Sequence, residues 1–206
     1  MIPRPSFPPR SASPPSVRPP CLVGLLLLGL LLALPSSSAA QHNLESCEGV
    51  LWGTVRTAVD GARIVVVTSD LVRLELRLAG IELPERARTG RPGLPDIPGQ
   101  PYGDEAAAFV RSLIFDKQIR LDTYGRDAAG RLLGVLWLGE INVNLALVKE
   151  GLAWVDPAFV VTKVRAGLEV AERQAQVGRY GLWALADPEA PWEYRRRHGL
   201  PSEPPR

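Results

Sequence analysis

Residues 73–78, "RLELRL", alternate without a break: Leu74, Leu76 and Leu78 fall on one face, and Arg73, Glu75 and Arg77 on the other. That period of two is the signature of a half-buried strand. Upstream, "VLWGTVRTAV" and "ARIVVVTS" flank Asp60-Gly61, a turn pair that predicts a hairpin. Downstream, Pro84, Pro92, Pro95, Pro98 and Pro101 interrupt any regular structure over residues 82–101. This stretch is expected to be an exposed, mobile loop, and loops of such length inside a small domain tend to be functional. "YGDEAAAFVRSLIF" predicts a helix over 103–114 with Asp104 and Glu105 in the first turn, where the macrodipole favours acids. "KQIRLDTY" and "RLLGVLWLG" read as two more strands, and "VNLALVKEGLAWV" as a short helix broken at Gly151. Over about 162–177, Val164, Leu168, Ala171 and Ala175 form one buried stripe of a last helix, which stops at Gly178. The chain has no internal repeat. The pattern predicts an α+β, mainly β fold: a five-stranded OB-type Greek-key barrel, its first helix between strands three and four, capped by about three helices. No parallel strand pairing is expected.

The amino terminus stands apart from this pattern. Residues 1–20 are proline-rich and carry Arg4, Arg10 and Arg18 with no acid; residues 22–34 are uninterruptedly apolar; Ser38, Ala39 and Ala40 follow. This is the layout of a secretory signal peptide, with cleavage near Ala40 and a mature chain from Gln41. The competing reading is an uncleaved membrane anchor. The 13 apolar residues of 22–34 would span only about 20 Å as a helix, short of a hydrocarbon core of about 30 Å. The chain of 206 residues then divides into a signal (1–40), a leader (41–47), one domain (48–186) and a proline-rich basic tail (187–206). The expected location is secreted or periplasmic, or membrane-anchored if the signal stays uncleaved.

Removing the signal changes the charge picture. The formal +2 of the whole chain becomes −1, with 21 basic against 22 acidic residues. Bulk charge therefore does not announce a polyanion binder, and any nucleic-acid site must be a local arginine cluster. Cys47 is the one cysteine left beyond Cys21 of the signal, which excludes a disulfide scaffold. Read from residue types alone, Arg73, Glu75 and Arg77 are a solvated strand face with cross-strand ion pairs. Glu82 and Glu85 are loop acids, "DAAGR" is a turn, and the tail arginines are solvated charge.

The serial order of motifs adds a second reading. "VDGARI", "LRLAGIELPE", "YGDEAAAF", "DAAGR", "VNLALVKEGLAWV" and "GLW" together resemble the staphylococcal nuclease-like (thermonuclease) domains over roughly residues 49–183, and "PWEYRRR" resembles the tail many bacterial members carry. The resemblance implies a nuclease hydrolysing DNA or RNA phosphodiesters with Ca²⁺ or another divalent cation. It makes Arg77 and Arg131 the guanidiniums that grip the phosphate and Glu85 the general base. Arg131 is preferred over Arg126 because it leads at once into the apolar strand "LLGVLWL". The resemblance puts Glu82, the backbone carbonyl of Leu83 and, weakly, Asp60 at the metal, and Phe159 at the nucleotide pocket as a stacking surface.

These residue types suit the chemistry. A carboxylate can take a proton from the attacking water. Guanidiniums fork onto non-bridging phosphate oxygens, where an ammonium offers a point charge. A hard cation polarises the same phosphate. The chain also departs from the pattern. Ala62 stands where a metal-binding Asp is usual, Glu82 replaces an Asp, and Ala128-Ala129 replaces Lys-Tyr. Weakened metal binding is the expected consequence. The alternative function is a catalytically impaired OB-fold module that binds nucleic acid or protein through the same face.

Overall fold

The computed structural model describes residues 48–58, 63–90 and 96–201. The signal, the leader and the Asp60-Gly61-Ala62 turn lie outside the described residues. Among the described residues, no helix is long and apolar enough to cross a membrane.

Five strands make the barrel: β1 (Glu48–Ala58), β2 (Ile64–Thr68), β3 (Arg73–Leu78), β5 (Gln118–Arg126) and β6 (Leu132–Leu138). Three two-residue strands, β4 (Ile81–Glu82), β7 (Ile141–Asn142) and β8 (Trp154–Val155), decorate it. The strands run β3-β2-β1-β5-β6, and β3 pairs back onto β6 to close the ring. That closing pair is parallel, with Leu76 opposite Leu132 and Arg77 opposite Leu133; the other barrel pairs are antiparallel. The expectation of no parallel pairing is thereby corrected, while the OB-type closed barrel stands. In a ring of five strands whose other four neighbour pairs are antiparallel, the first and last strands run the same way, so the closing pair has to be parallel. Full closure leaves no barrel edge unpaired.

Helix α1 (Gly103–Ile114) sits between β3 and β5 with the expected bounds, burying Ala106, Ala107, Val110 and Ile114. Helix α2 (Val143–Lys149) is capped by the Asn142 side chain, which accepts the Leu145 N–H at 2.9 Å. Helix α3 (Thr162–Gly178) buries Leu168, Ala171 and Ala175, and α4 (Pro191–Arg197) is a fourth helix where a basic tail is expected. The alternation of β3 is realised: Leu76 and Leu78 are buried, and Val55, Ile64, Leu121 and Leu136 join them in one core with Val110, Leu147 and Leu168.

The loop over 82–101 departs from expectation at its stem. Leu83 and Pro84 are buried, and Arg88 and Ile97 exchange two backbone hydrogen bonds of 2.9 Å. Gln100 ties the two limbs: its N–H donates to the Glu85 carbonyl at 2.7 Å and its Oε1 accepts the Glu85 N–H at 2.9 Å. Prolines prevent a long ladder but not these isolated cross-links. Gly103 permits the stem to pack on α1, because a Cβ there would lie 2.6 Å from the Glu85 carbonyl oxygen.

One buried side chain joins the layers. Asn144 of α2, 1 % exposed, accepts the Leu136 N–H at 3.0 Å and donates to the carbonyls of Ala79 at 2.9 Å and Gly134 at 3.3 Å. Asn144→Leu would strand these backbone groups away from water, a cost of about 3 kcal/mol. Urea unfolding should show that loss, against about 1 kcal/mol for the cap variant Asn142→Ala. Amide exchange at Arg88, Ile97 and Gln100 should be slowed relative to the exposed Ala87.

Candidate active site

Glu82 and Glu85 leave the barrel on consecutive turns of chain. After β3, Gly80 adopts φ +75° in a space bounded by Leu168 and Phe159, a conformation that favours glycine. The chain then forms β4, which pairs with β8 so that Glu82 lies opposite Trp154. The Asp156 N–H donates to the Gly80 carbonyl at 3.0 Å and extends this clip. Pro84 breaks the strand, and Glu85 follows.

The structure brings Arg77, Glu82 and Glu85 together in one ion-pair network. Arg77 donates to Glu82 Oε1 at 2.8 Å and lies 3.8 Å from Asp156 Oδ2. Arg195 of α4 donates to Glu82 Oε2 at 2.6 Å and to Glu85 Oε1 at 2.9 Å. Arg88 reaches Glu85 Oε2 at 3.3 Å from a more exposed position. Burial works against the Arg195 charge, but Glu82 and Glu85 outweigh it and hold its pKa above the usual guanidinium value.

Arg131 stands at the head of β6, 7 % exposed. Its backbone N–H and its Nε both donate to the Asp127 carboxylate, at 2.9 and 2.6 Å. It precedes Leu133, the partner of Arg77 across the parallel closure, by two residues, so it shares that face of the sheet. The same face carries Glu75, whose pKa is lowered by the hydrogen bond from Arg63 and by the charges of Arg63, Arg73 and Arg131, with burial opposing. Arg126 donates to the Gly130 carbonyl at 2.6 Å within the turn.

Two expectations meet a different setting. Phe159 is 8 % exposed, packs with Ala79 and Val135, and meets Tyr124 edge-on at 6.2 Å; it offers no open face to a base in this structure. For the cation, each Glu82 oxygen already accepts a guanidinium, and among the described residues no three His, Cys, Asp or Glu side chains gather as a metal site. A hard divalent cation wants several anionic or carbonyl oxygens and no cation beside them. The described residues, as placed, do not fit one. Leu83 is buried next to Glu82, and Asp60 lies outside the described residues.

Comparison with known proteins shows the family of the chain. The model of the family described as staphylococcal nuclease homologue matches residues 75–185. The chain belongs to the staphylococcal nuclease family. An uncharacterized endonuclease of Escherichia coli is 32 % identical over 148 residues, 71 % of this chain and 86 % of that protein. A thermonuclease of Staphylococcus hyicus is 34 % identical over 128 residues, 61 % of this chain and 72 % of that one. A probable staphylococcal-like nuclease of Oryza sativa subsp. japonica is 34 % identical over 124 residues, 60 % of this chain. The chain spans 33 % of that rice protein and 51 % of a probable endonuclease of Pyricularia oryzae.

Sequence reasoning missed Arg195, Arg88 and Asp156 as members of the network. The signal for Arg195 was present: Trp192 and Tyr194 stand directly before the three arginines of "PWEYRRR", and large aromatics beside a basic run favour docking over solvation. Glu172 is a further hidden contributor. Its Oε1 accepts the Val155 N–H at 2.8 Å and so anchors β8, the partner of the Glu82 strand. Burial raises its pKa, with Glu169 adding to the rise, while the Val155 hydrogen bond and Arg173 oppose it. The folded state therefore holds this proton more tightly than the unfolded chain does. The associated stability is present below the ordinary carboxyl range and is lost as pH rises through the raised value. Glu172→Gln keeps an acceptor for Val155 and removes the titration. Unfolding free energy followed just above the usual glutamate range should fall with pH less steeply in that variant than in wild type.

Proposed function

We propose that this protein is an endonuclease-type phosphodiesterase acting on DNA or RNA. The observation that carries the reading is the convergence of Arg77, Glu82 and Glu85 at the exit of β3 in a chain of this family. Glu85 is the general base. Each carboxylate oxygen has two acceptor sites, so a water can bind beside the guanidiniums that already hold it. That water loses a proton to Glu85 as its oxygen bonds to phosphorus; the opposite P–O ester bond breaks and the leaving oxygen takes a proton from solvent. Arg77 and Arg131, on one face of neighbouring strands, neutralise the non-bridging oxygens as charge builds in the transition state. Members of the family generally depend on a divalent cation. With both Glu82 oxygens held by guanidiniums, Glu82, the Leu83 carbonyl and Asp60 would bind that cation only by displacing an arginine, and no step above passes through it.

Glu85→Gln and Arg131→Ala should each lower the rate on single-stranded DNA by about 10²- to 10⁴-fold with circular dichroism unchanged. Arg126→Ala should matter little, and equal losses at Arg126 and Arg131 would reverse the choice between them. Activity against Ca²⁺ concentration gives a second check. Wild type should need high Ca²⁺, and Ala62→Asp should raise affinity and activity together by restoring an anionic ligand. If neither form cleaves at any metal concentration, the impaired OB-fold module binding nucleic acid or protein replaces this reading. The saturation of both acids by arginines favours that second function. We further infer export through residues 1–40. Sequencing the amino terminus of protein from the medium or periplasm should find Gln41, and intact Met1 chains in the membrane fraction would favour an anchor.

A further inference from the structure

The helix α4 is held to the barrel by contacts that do not involve its inward charge. Trp192 meets Trp154 of β8 at 5.9 Å, Tyr194 is buried, and Gln100 Nε2 donates to the Glu189 carbonyl at 2.8 Å. Arg197 closes the helix outside with two hydrogen bonds to Glu189. Of the three consecutive arginines, Arg196 and Arg197 are exposed and Arg195 alone turns inward, 5 % exposed. Its two terminal nitrogens divide between two acids on different segments, Glu82 in β4 and Glu85 beyond Pro84.

Two enclosed carboxylates three residues apart repel one another and are expensive to keep charged. A planar guanidinium that forks between them removes the repulsion and fixes the angle between them. We propose that Arg195 is a positioning residue of the active site, the built-in cation that sets Glu82 and Glu85 in place, and that α4 is therefore part of the catalytic unit. Its kinetic consequence rests on Glu85 being the base; its structural consequence does not. The other groups facing the pair are Arg77 and Asp156 beside Glu82, and Arg88 and the Tyr194 phenol beside Glu85. Without Arg195, Glu82 keeps the 2.8 Å contact with Arg77, whereas Glu85 keeps only the longer one with Arg88. Glu85 is the acid that depends on Arg195 more.

The test uses the full chain as Arg195→Gln, Arg195→Lys and, as control, Arg196→Gln. Two readouts are followed at neutral pH: kcat and KM on single-stranded DNA, and the side-chain mobility of Glu82 and Glu85 by NMR relaxation. In Arg195→Gln the Glu85 side chain should become more mobile, with a smaller change at Glu82. The rate at neutral pH should fall about 10- to 100-fold, mostly in kcat. Arg195→Lys should restrain the two side chains only in part and recover only part of the rate, since one ammonium cannot fork. Arg196→Gln should resemble wild type in both. Unchanged Glu85 mobility in Arg195→Gln overturns the proposal, as does a gain in activity, which would make α4 a cover over the site. Should Arg195→Gln fail to fold, full wild-type kcat in Arg195→Lys overturns it and a kcat loss with unchanged KM supports it. If the chain cleaves no substrate, the side-chain mobility still decides the positioning role while the nuclease reading falls separately.

Discussion

Parallel pairing of β3 with β6 is the constraint on which the rest of this molecule rests. It closes the barrel, and it fixes where the chain must leave β3 to begin the acidic loop. The pairing is short, three residue pairs, and parallel ladders are slightly less stable per residue than antiparallel ones. The buried Asn144 amide reinforces it from outside the ladder, reaching the last carbonyl after β3 and two backbone groups of β6 at once. A buried amide is costly unless every group it offers is met. Here Asn144 welds helix, closure and loop exit into one unit.

From that exit, each further element adds one restraint to the acids. β8 clips Glu82 from one side, and Glu172 behind it holds β8 to α3. Gln100 binds the Glu85 backbone, and α1 packs under it at Gly103. The result is a pair of carboxylates whose backbone is fixed by hydrogen bonds and whose side chains are fixed by arginines. Such pre-positioning is what a transition state stabilised by geometry and charge requires.

The charge network is better explained by this positioning than by stability. Taking several charges out of water is expensive, and a buried ion pair often contributes no more than a well-packed apolar pair. Arg77, Glu82, Glu85, Asp156 and Arg195 nonetheless cluster with little exposure. The parts of the fold that supply net stability are apolar: the barrel interior and the inner stripes of α1 and α3.

The sequence by itself determined the elements that rest on periodicity. The alternation of β3, the bounds of α1, the stripe of α3 and the order that makes an OB-type barrel all follow from local spacing, because side-chain direction repeats every 2 or 3.6 residues. Arg77, Glu82 and Glu85 were picked out by the family resemblance, whereas residue type alone read them as a solvated strand face and loop acids. The parallel closure and the stitched stem of the 82–101 loop were not legible, since a prolyl-rich stretch conceals which backbone groups meet later. Phe159 and Arg195 show the same limit in opposite directions. The resemblance makes one a stacking surface, local composition makes the other a solvated tail charge, and the fold buries both. Only tertiary structure decided that Arg195 meets acids more than a hundred residues away, because docking of α4 depends on the Trp154 surface that the barrel and its clips first have to build.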